Sequence, residues 1–301
     1  MSHRLAAALA IAVILLTIVA GQELPIFRAE TRLVVLHATV KNRRGELVTD
    51  LDRAAFTVYE NGRQQPIALF RRGDVPVSLG LVIDNSGSMR SLRAKVEKAA
   101  LAFVRASNSL DDVFVLNFAD KAHVDVPLTS DVRVLEAGIA RVDSIGGTAM
   151  RDAVLLAEGY LRQHASHDRR VLLVITDGND NASSASIDQL RKTVEQSATA
   201  VFAVGLFRDD SPSAEHGREE LDHLTELTGG MAYYPASFDQ IDSIVLEIAR
   251  QIRNEYTIAY APVNQVFDGT YRAIRLKVTG PGGPSVRTRP GYWATPTPVL
   301  P

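Results

Sequence analysis

The chain has 301 residues, 46% hydrophobic and 23% charged, a globular composition long enough for one large core or two smaller ones. A net charge of −2 with no long acidic or basic block offers no face for nucleic acid. The absence of cysteine excludes a disulfide scaffold, thiolate metal sites and a cysteine nucleophile, so any chemistry must use oxygen and nitrogen.

Residues 2–21 read SHRLAAALAIAVILLTIVAG, with Arg4 ahead of an uncharged run from Leu5 to Ala20 and a small-residue exit at Val19-Ala20-Gly21. The run is short for a membrane span of about 20 residues, so a cleaved signal peptide over 1–21 and a secreted or periplasmic protein are expected. Left uncleaved, the same run would anchor the chain to a membrane.

Residues 22–74 read as β structure. TRLVVLHATV is aliphatic and β-branched, Asn42 to Gly45 make a turn, and FTVYENGRQQPIALF folds around Asn61-Gly62, a two-residue hairpin signal. From 75 to 254 the texture alternates. Strands are predicted at Val77–Ile83, Val113–Phe118, His123–Val126, Arg170–Thr176, Thr199–Phe207 and Met231–Tyr234. Helices are predicted at Leu92–Ser107, Val132–Val142, Met150–His164, Ile187–Ala198, Arg218–Leu227 and Phe238–Asn254. VSLGLVI and VLLVIT are apolar on both faces, as strands of a parallel sheet covered by helices must be. The fold class is therefore α/β, a doubly wound, mostly parallel sheet flanked by helices.

Residues 255–294 return to strand-like runs, EYTIAYAP, TYRAIRLKV and PSVRTRPGYWA, separated by Asp268-Gly269 and Gly280-Pro281-Gly282-Gly283-Pro284. Each flank alone supplies about three strands, near the limit of independent stability. The two are expected to pair into one small β-sandwich with the α/β domain inserted between them. Residues 295–301 read as a tail.

In an open parallel sheet, ligands bind beyond the carboxyl ends of the strands. The first such exit, in LGLVIDNSGSMRSL, gives Asp84, Ser86 and Ser88 at i, i+2 and i+4. SIGGTAMRDAV delivers Thr148 from a loop loosened by Gly146 and Gly147, and Thr176-Asp177-Gly178 adds a second carboxylate. Two carboxylates and three hydroxyls form a hard-oxygen set that suits Mg2+, with Mn2+ or Ca2+ also admissible. So few formal charges leave the cation electrophilic toward another anionic oxygen, and the helix N-terminus after Ser88 adds positive potential.

Asp84-x-Ser86-x-Ser88 with Thr148 and Asp177 downstream resembles the metal-ion-dependent adhesion site of von Willebrand factor type A domains. The span from Val75 to Asn254 is similar to that domain's layout. The flanks resemble those of bacterial von Willebrand-A-related proteins best known from Acidobacteria, including the RPGYWA close. The resemblance implies that Ser86, Ser88 and Thr148 bind the metal directly, and Asp84 and Asp177 directly or through water. It further implies a non-enzymatic interaction protein, in which a Glu or Asp carboxylate of a protein partner fills the open position.

Other readings of the motifs are weaker. Ser86 as a nucleophile has no G-x-S-x-G elbow and no nearby base. A metal-assisted hydrolase lacks the same base, and a scaffold with an idle metal site is the remaining alternative. His164 and His167 beside Asp168, and likewise His216 and His223, are expected to be solvated polar residues. Asp177 to Asp188 fails as a calcium loop at Ala182 and Asp188. Asn179 to Asn181 are expected to shape a ligand rim, and Asp152 to cap its helix. Arg72-Gly73-Asp74 spells the tripeptide that integrins read, but at a domain junction glycine serves as a hinge.

Overall fold

The computed structural model describes residues 33–140 and 145–295. The expected signal peptide, and the tail beyond residue 295, lie outside the described residues. The N-terminal flank forms β1 (Val34–Lys41), β2 (Phe56–Glu60), β3 (Arg63–Gln65) and β4 (Ile67–Arg71). Asn61 at φ +47° and Gly62 at φ +80° make the tight turn joining β2 to β3, with Glu60 opposite Arg63.

Gly73, at φ +111°, leads into the α/β part. There β5 (Ser78–Asp84) is buried along its whole length and passes through a 3-10 turn, Gly87–Ser91, into α1 (Arg93–Ala106). Then come β6 (Asp112–Phe118), β7 (Ala122–Thr129), α2 (Val132–Ile139), α3 (Met150–His164) and β8 (Arg170–Thr176). The part closes with α4 (Ile187–Gln196), β9 (Ala200–Gly205), α5 (Pro212–Thr228), β10 (Ala232–Tyr233) and α6 (Ile241–Arg253).

The sheet order is β10-β9-β8-β5-β6-β7, parallel throughout except for β7 on the β6 edge. Successive strands run outward from β5 on one side and from β8 on the other, so the order reverses between these two. That is where ligands enter such sheets. Leu79, Leu81 and Ile83 face a core with Phe103, Leu135 and Ile248 from α1, α2 and α6. Val82 joins Val154, Leu190 and Leu221 from α3, α4 and α5 on the other face. At Gly80 the packing leaves no room for a side chain: a Cβ there would lie 2.4 Å from the Phe114 ring and 2.6 Å from Leu172.

α5 begins at Pro212, six residues before the predicted start at Arg218. Ser211 Oγ accepts from Ala214 N and proline occupies the first turn, a start signal that outweighs the weak periodicity before Arg218.

The C-terminal flank forms β11 (Tyr256–Tyr260), β12 (Tyr271–Val278), β13 (Ser285–Arg287) and β14 (Gly291–Trp293). Among the described residues each flank thus gives four strands rather than about three. They interleave in two antiparallel sheets, β13-β1-β11-β4 and β14-β12-β2-β3, with Leu36 opposite Ile258 and Val58 opposite Leu276. β12 alternates exposed and buried residues, and its inward Ile274 and Leu276 share one core with Leu36, Phe56, Tyr256 and Tyr260. The flanks therefore form a single sandwich. The carboxylate of Asp74 is engaged by Arg253 at 2.8 Å, so the integrin-like tripeptide serves the junction.

Candidate metal centre

The carboxyl ends of β5 and β8 lie side by side, and the site is built there from the floor up. Asp84 is fully buried. Its Oδ1 accepts from Ser86 N at 2.8 Å and its Oδ2 from Thr176 Oγ1 at 2.6 Å. Ser86 Oγ and Ser88 Oγ are 3.0 Å apart, and Ser88 Oγ donates to Asp177 Oδ1 at 2.7 Å. Four predicted residues thus form one polar chain from a buried carboxylate to the exposed lip at Ser88. Each Asp84 oxygen thus accepts one hydrogen bond from within and keeps a further lone pair.

Thr148 approaches from the glycine loop. Gly146 (φ +96°) and Gly147 pass so close to Asp120 that a Cβ at Gly146 would sit 2.4 Å from its carboxylate. Gly147 N donates to Asp120 Oδ1 at 2.7 Å, and Gly87 N to Gly146 O at 3.0 Å, tying this loop to the turn after Ser86. Thr148 is buried, and its Oγ1 would lie 3.6 Å from a Cβ placed on Gly178, beside Asp177. Ile145, 65% exposed, begins the loop, with its N–H on Asn85 O.

Two expectations need correction. Asn179 to Asn181 do not simply line a rim. Asn181 Oδ1 accepts from Thr148 N at 2.8 Å, and Thr148 O accepts from Asn181 N at 3.0 Å, so this segment clamps the threonine. Asp180 holds Arg151 N at 2.7 Å and the Arg151 guanidinium at 3.0 Å. Asp152 does not cap α3. Its carboxylate instead accepts from Ser184 N and Ala185 N, each at 2.9 Å, giving two non-helical amides their acceptor.

Sequence reasoning also missed Asp120 and Arg208, and it named Thr176 at the strand exit without its hydrogen bond to Asp84. Arg208 Nη2 donates to Ser88 O at 3.0 Å and Ser91 Oγ at 2.6 Å. Asn85 donates to Asn117, which donates to Asp125 at 2.7 Å, so the turn is also held from β6 and β7. His164 and His167 stay away from the site, bonded to the carbonyls of Tyr160 and Leu110.

Burial pushes the Asp84 carboxyl up to about 6, with the Thr176 and Ser86 hydrogen bonds opposing. Burial also raises Asp177, opposed by Ser88 and by the Arg208 charge. Two desolvated carboxylates and three hydroxyls fit a hard divalent cation, whose charge relieves the cost of burying both anions. Among the described residues no three His, Asp or Glu side chains converge, so hydroxyls must complete the set. Asp84, Ser86, Ser88, Thr148 and Asp177 could hold such an ion, which would supply a Lewis-acidic point open to an anionic oxygen.

The sequence profile of the von Willebrand factor type A domain matches residues 79–179, a span that contains all five of these residues. Calcium-activated chloride channel regulator 1 is 27% identical over 174 residues in Mus musculus and 29% over 171 residues in Homo sapiens. In both cases the alignment spans 54% of this chain but only 17% of the relative. Among solved structures, von Willebrand factor type A from Catenulispora acidiphila superposes with a TM-score of 0.53 at 12% identity, covering 89% of this chain and 74% of that one. Proximal thread matrix protein 1 from the mussel byssus gives 0.52 at 17%, covering 64% and 51%. The structures share the fold, and the profile match lies over the sequence around the site, so in both respects this chain is similar to von Willebrand factor type A domains.

Proposed function

We propose that the protein is a secreted, non-enzymatic interaction protein that holds Mg2+ through Asp84, Ser86, Ser88, Thr148 and Asp177. The ion docks a Glu or Asp carboxylate of a protein partner. One observation carries this reading: the hydrogen-bonded chain Ser86–Ser88–Asp177 rises from the buried Asp84 to an exposed serine at the sheet's reversal point. A cation in that chain keeps a face toward solvent, and with three neutral donors it keeps charge for an incoming anion. We read the flanking sandwich as that of the bacterial von Willebrand-A-related proteins, and residues 1–21 as the export signal.

A hydrolase would need a base beside the metal. The histidines bonded to Thr257, Tyr160 and Leu110 supply none there.

The test is calorimetric titration with Mg2+, followed by capture of secreted proteins in Mg2+ or chelator. Wild type should bind the ion and capture a partner only with it, and Asp84→Ala should lose both. Ser88→Ala removes an exposed hydroxyl without touching the core and should also weaken Mg2+ binding. Capture that persists in chelator would refute the docking mechanism.

A further inference from the structure

We propose that Arg208 is a second anchor at the docking site, engaging a second carboxylate of the partner beside the one that completes the metal. This rests on the reading of the site as a metal centre that docks an acidic residue. Arg208 follows β9, next to β8, and is exposed on the same edge of the sheet as Ser88 and Asp177. Nη2 is fixed by Ser88 O and Ser91 Oγ, so the guanidinium is held at the lip rather than free to swing away.

Among the described residues no carboxylate comes within 4.0 Å of this guanidinium, and only Nη2 has a hydrogen-bond acceptor. The two acidic neighbours in sequence are used elsewhere. Asp209 accepts from Ser211 N at 3.1 Å, and Asp210 pairs with Arg218 at 3.0 Å. The guanidinium therefore keeps its remaining donors for an outside acceptor, and its planar fork matches a carboxylate.

Its charge favours the ionised Asp177 carboxylate, yet the same placement has a cost once a cation is bound. A fixed positive charge beside a divalent-cation site repels the ion and weakens its binding. The repulsion turns into attraction once an anion lies between the two cations. Metal and a two-carboxylate ligand should therefore bind with positive coupling, each tightening the other. A residue that served only to clamp the turn would produce the opposite result on removal, a looser turn and weaker metal binding.

The test uses the full chain and two probes, acetate and the flexible dicarboxylate glutarate, with Mg2+ affinity measured first and alone. Arg208→Gln keeps a donor for Ser88 O but removes the charge. It should bind Mg2+ about three- to tenfold more tightly than wild type at low ionic strength. On the Mg2+-loaded protein, glutarate should bind wild type roughly fivefold or more better than acetate, and Arg208→Gln should erase that preference. Arg208→Lys should keep wild-type Mg2+ affinity within about twofold and part of the preference. Unchanged or weaker Mg2+ binding in Arg208→Gln would overturn the proposal, as would equal binding of the two probes by wild type. Inorganic phosphate gaining more than glutarate from the wild-type guanidinium would overturn it too, by assigning the site to another anion. Wild type that binds no Mg2+ at all would instead sink the metal centre itself, so the two failures are separable.

Discussion

Replacing Glu158 with Gln should stabilise the protein at neutral pH and leave it unchanged near pH 4.5. Glu158 sits on the inner side of α3 at 5% exposure. Its Oε2 accepts from Ser197 Oγ at 2.8 Å and Thr199 Oγ1 at 3.1 Å, while Oε1 is buried with no hydrogen-bond partner among the described residues. Burial pushes the carboxyl up from 4.5 to about 7, against the pull of those two hydroxyls. Below about pH 4.5 the folded and unfolded chains both hold the proton. Between there and pH 7 the folded chain keeps it and the unfolded chain releases it, so stability falls with rising pH by about 1.4 kcal/mol per unit. Over the whole window the loss is roughly 3 kcal/mol. The glutamine is neutral throughout and still offers an acceptor to both hydroxyls, so it escapes the loss. Urea unfolding of both proteins from pH 4.5 to 8, in chelator, reads the effect as a difference, which cancels every other titrating group. A difference that does not change with pH would refute the reasoning.

Asn181→Ala leaves the buried Thr148 N–H without its 2.8 Å acceptor; unfolding should show a loss of about 1–3 kcal/mol, and calorimetry a weaker Mg2+ site. In the sandwich, Arg272 at 2% exposure pairs with Glu60, which also accepts from Tyr260 and Tyr292 at 2.8 and 2.9 Å. Arg272 also donates to the carbonyls of Asn264 and Val266, so Arg272→Ala removes the carboxylate's cation and two backbone contacts; it should cost about 3–5 kcal/mol by denaturant unfolding, with only the charge-related part regained when Glu60→Gln is added.

How much of the fold could be read beforehand depended on where the stabilising contacts lie. β8 and α3 match their predicted bounds because a strand apolar on both faces and a long amphipathic helix each carry their own signal. The shared sandwich was readable by a different route, since neither flank could bury a face alone. Its register was not, because β1 pairs with β11 across more than two hundred residues, and nothing local in VVLHATVK specifies Tyr256 to Tyr260 as partner. Three-residue strands such as β3, β13 and β14 are too short to show an alternation, which is why the strand count per flank fell short.

The site divides along the same line. Asp84, Ser86 and Ser88 are legible because a strand exit fixes their spacing, and Thr148 and Asp177 because glycines and strand ends flag them. Asp120, Asn181 and Arg208 act across 27, 33 and 120 residues, through hydrogen bonds that obey no period. Yet these residues would decide what the five proposed donors can do. Asp120 and Asn181 hold the glycine loop so that Thr148 meets β8, and without them a hydroxyl on a mobile loop would be a poor metal donor. In the role proposed for it, Arg208 would set the charge an arriving ligand meets. On the proposed reading, the five donors would fix which ion can bind, whereas Asp120, Asn181 and Arg208, whose contacts are set only by the folded chain, would fix how firmly it is held and which anion completes it.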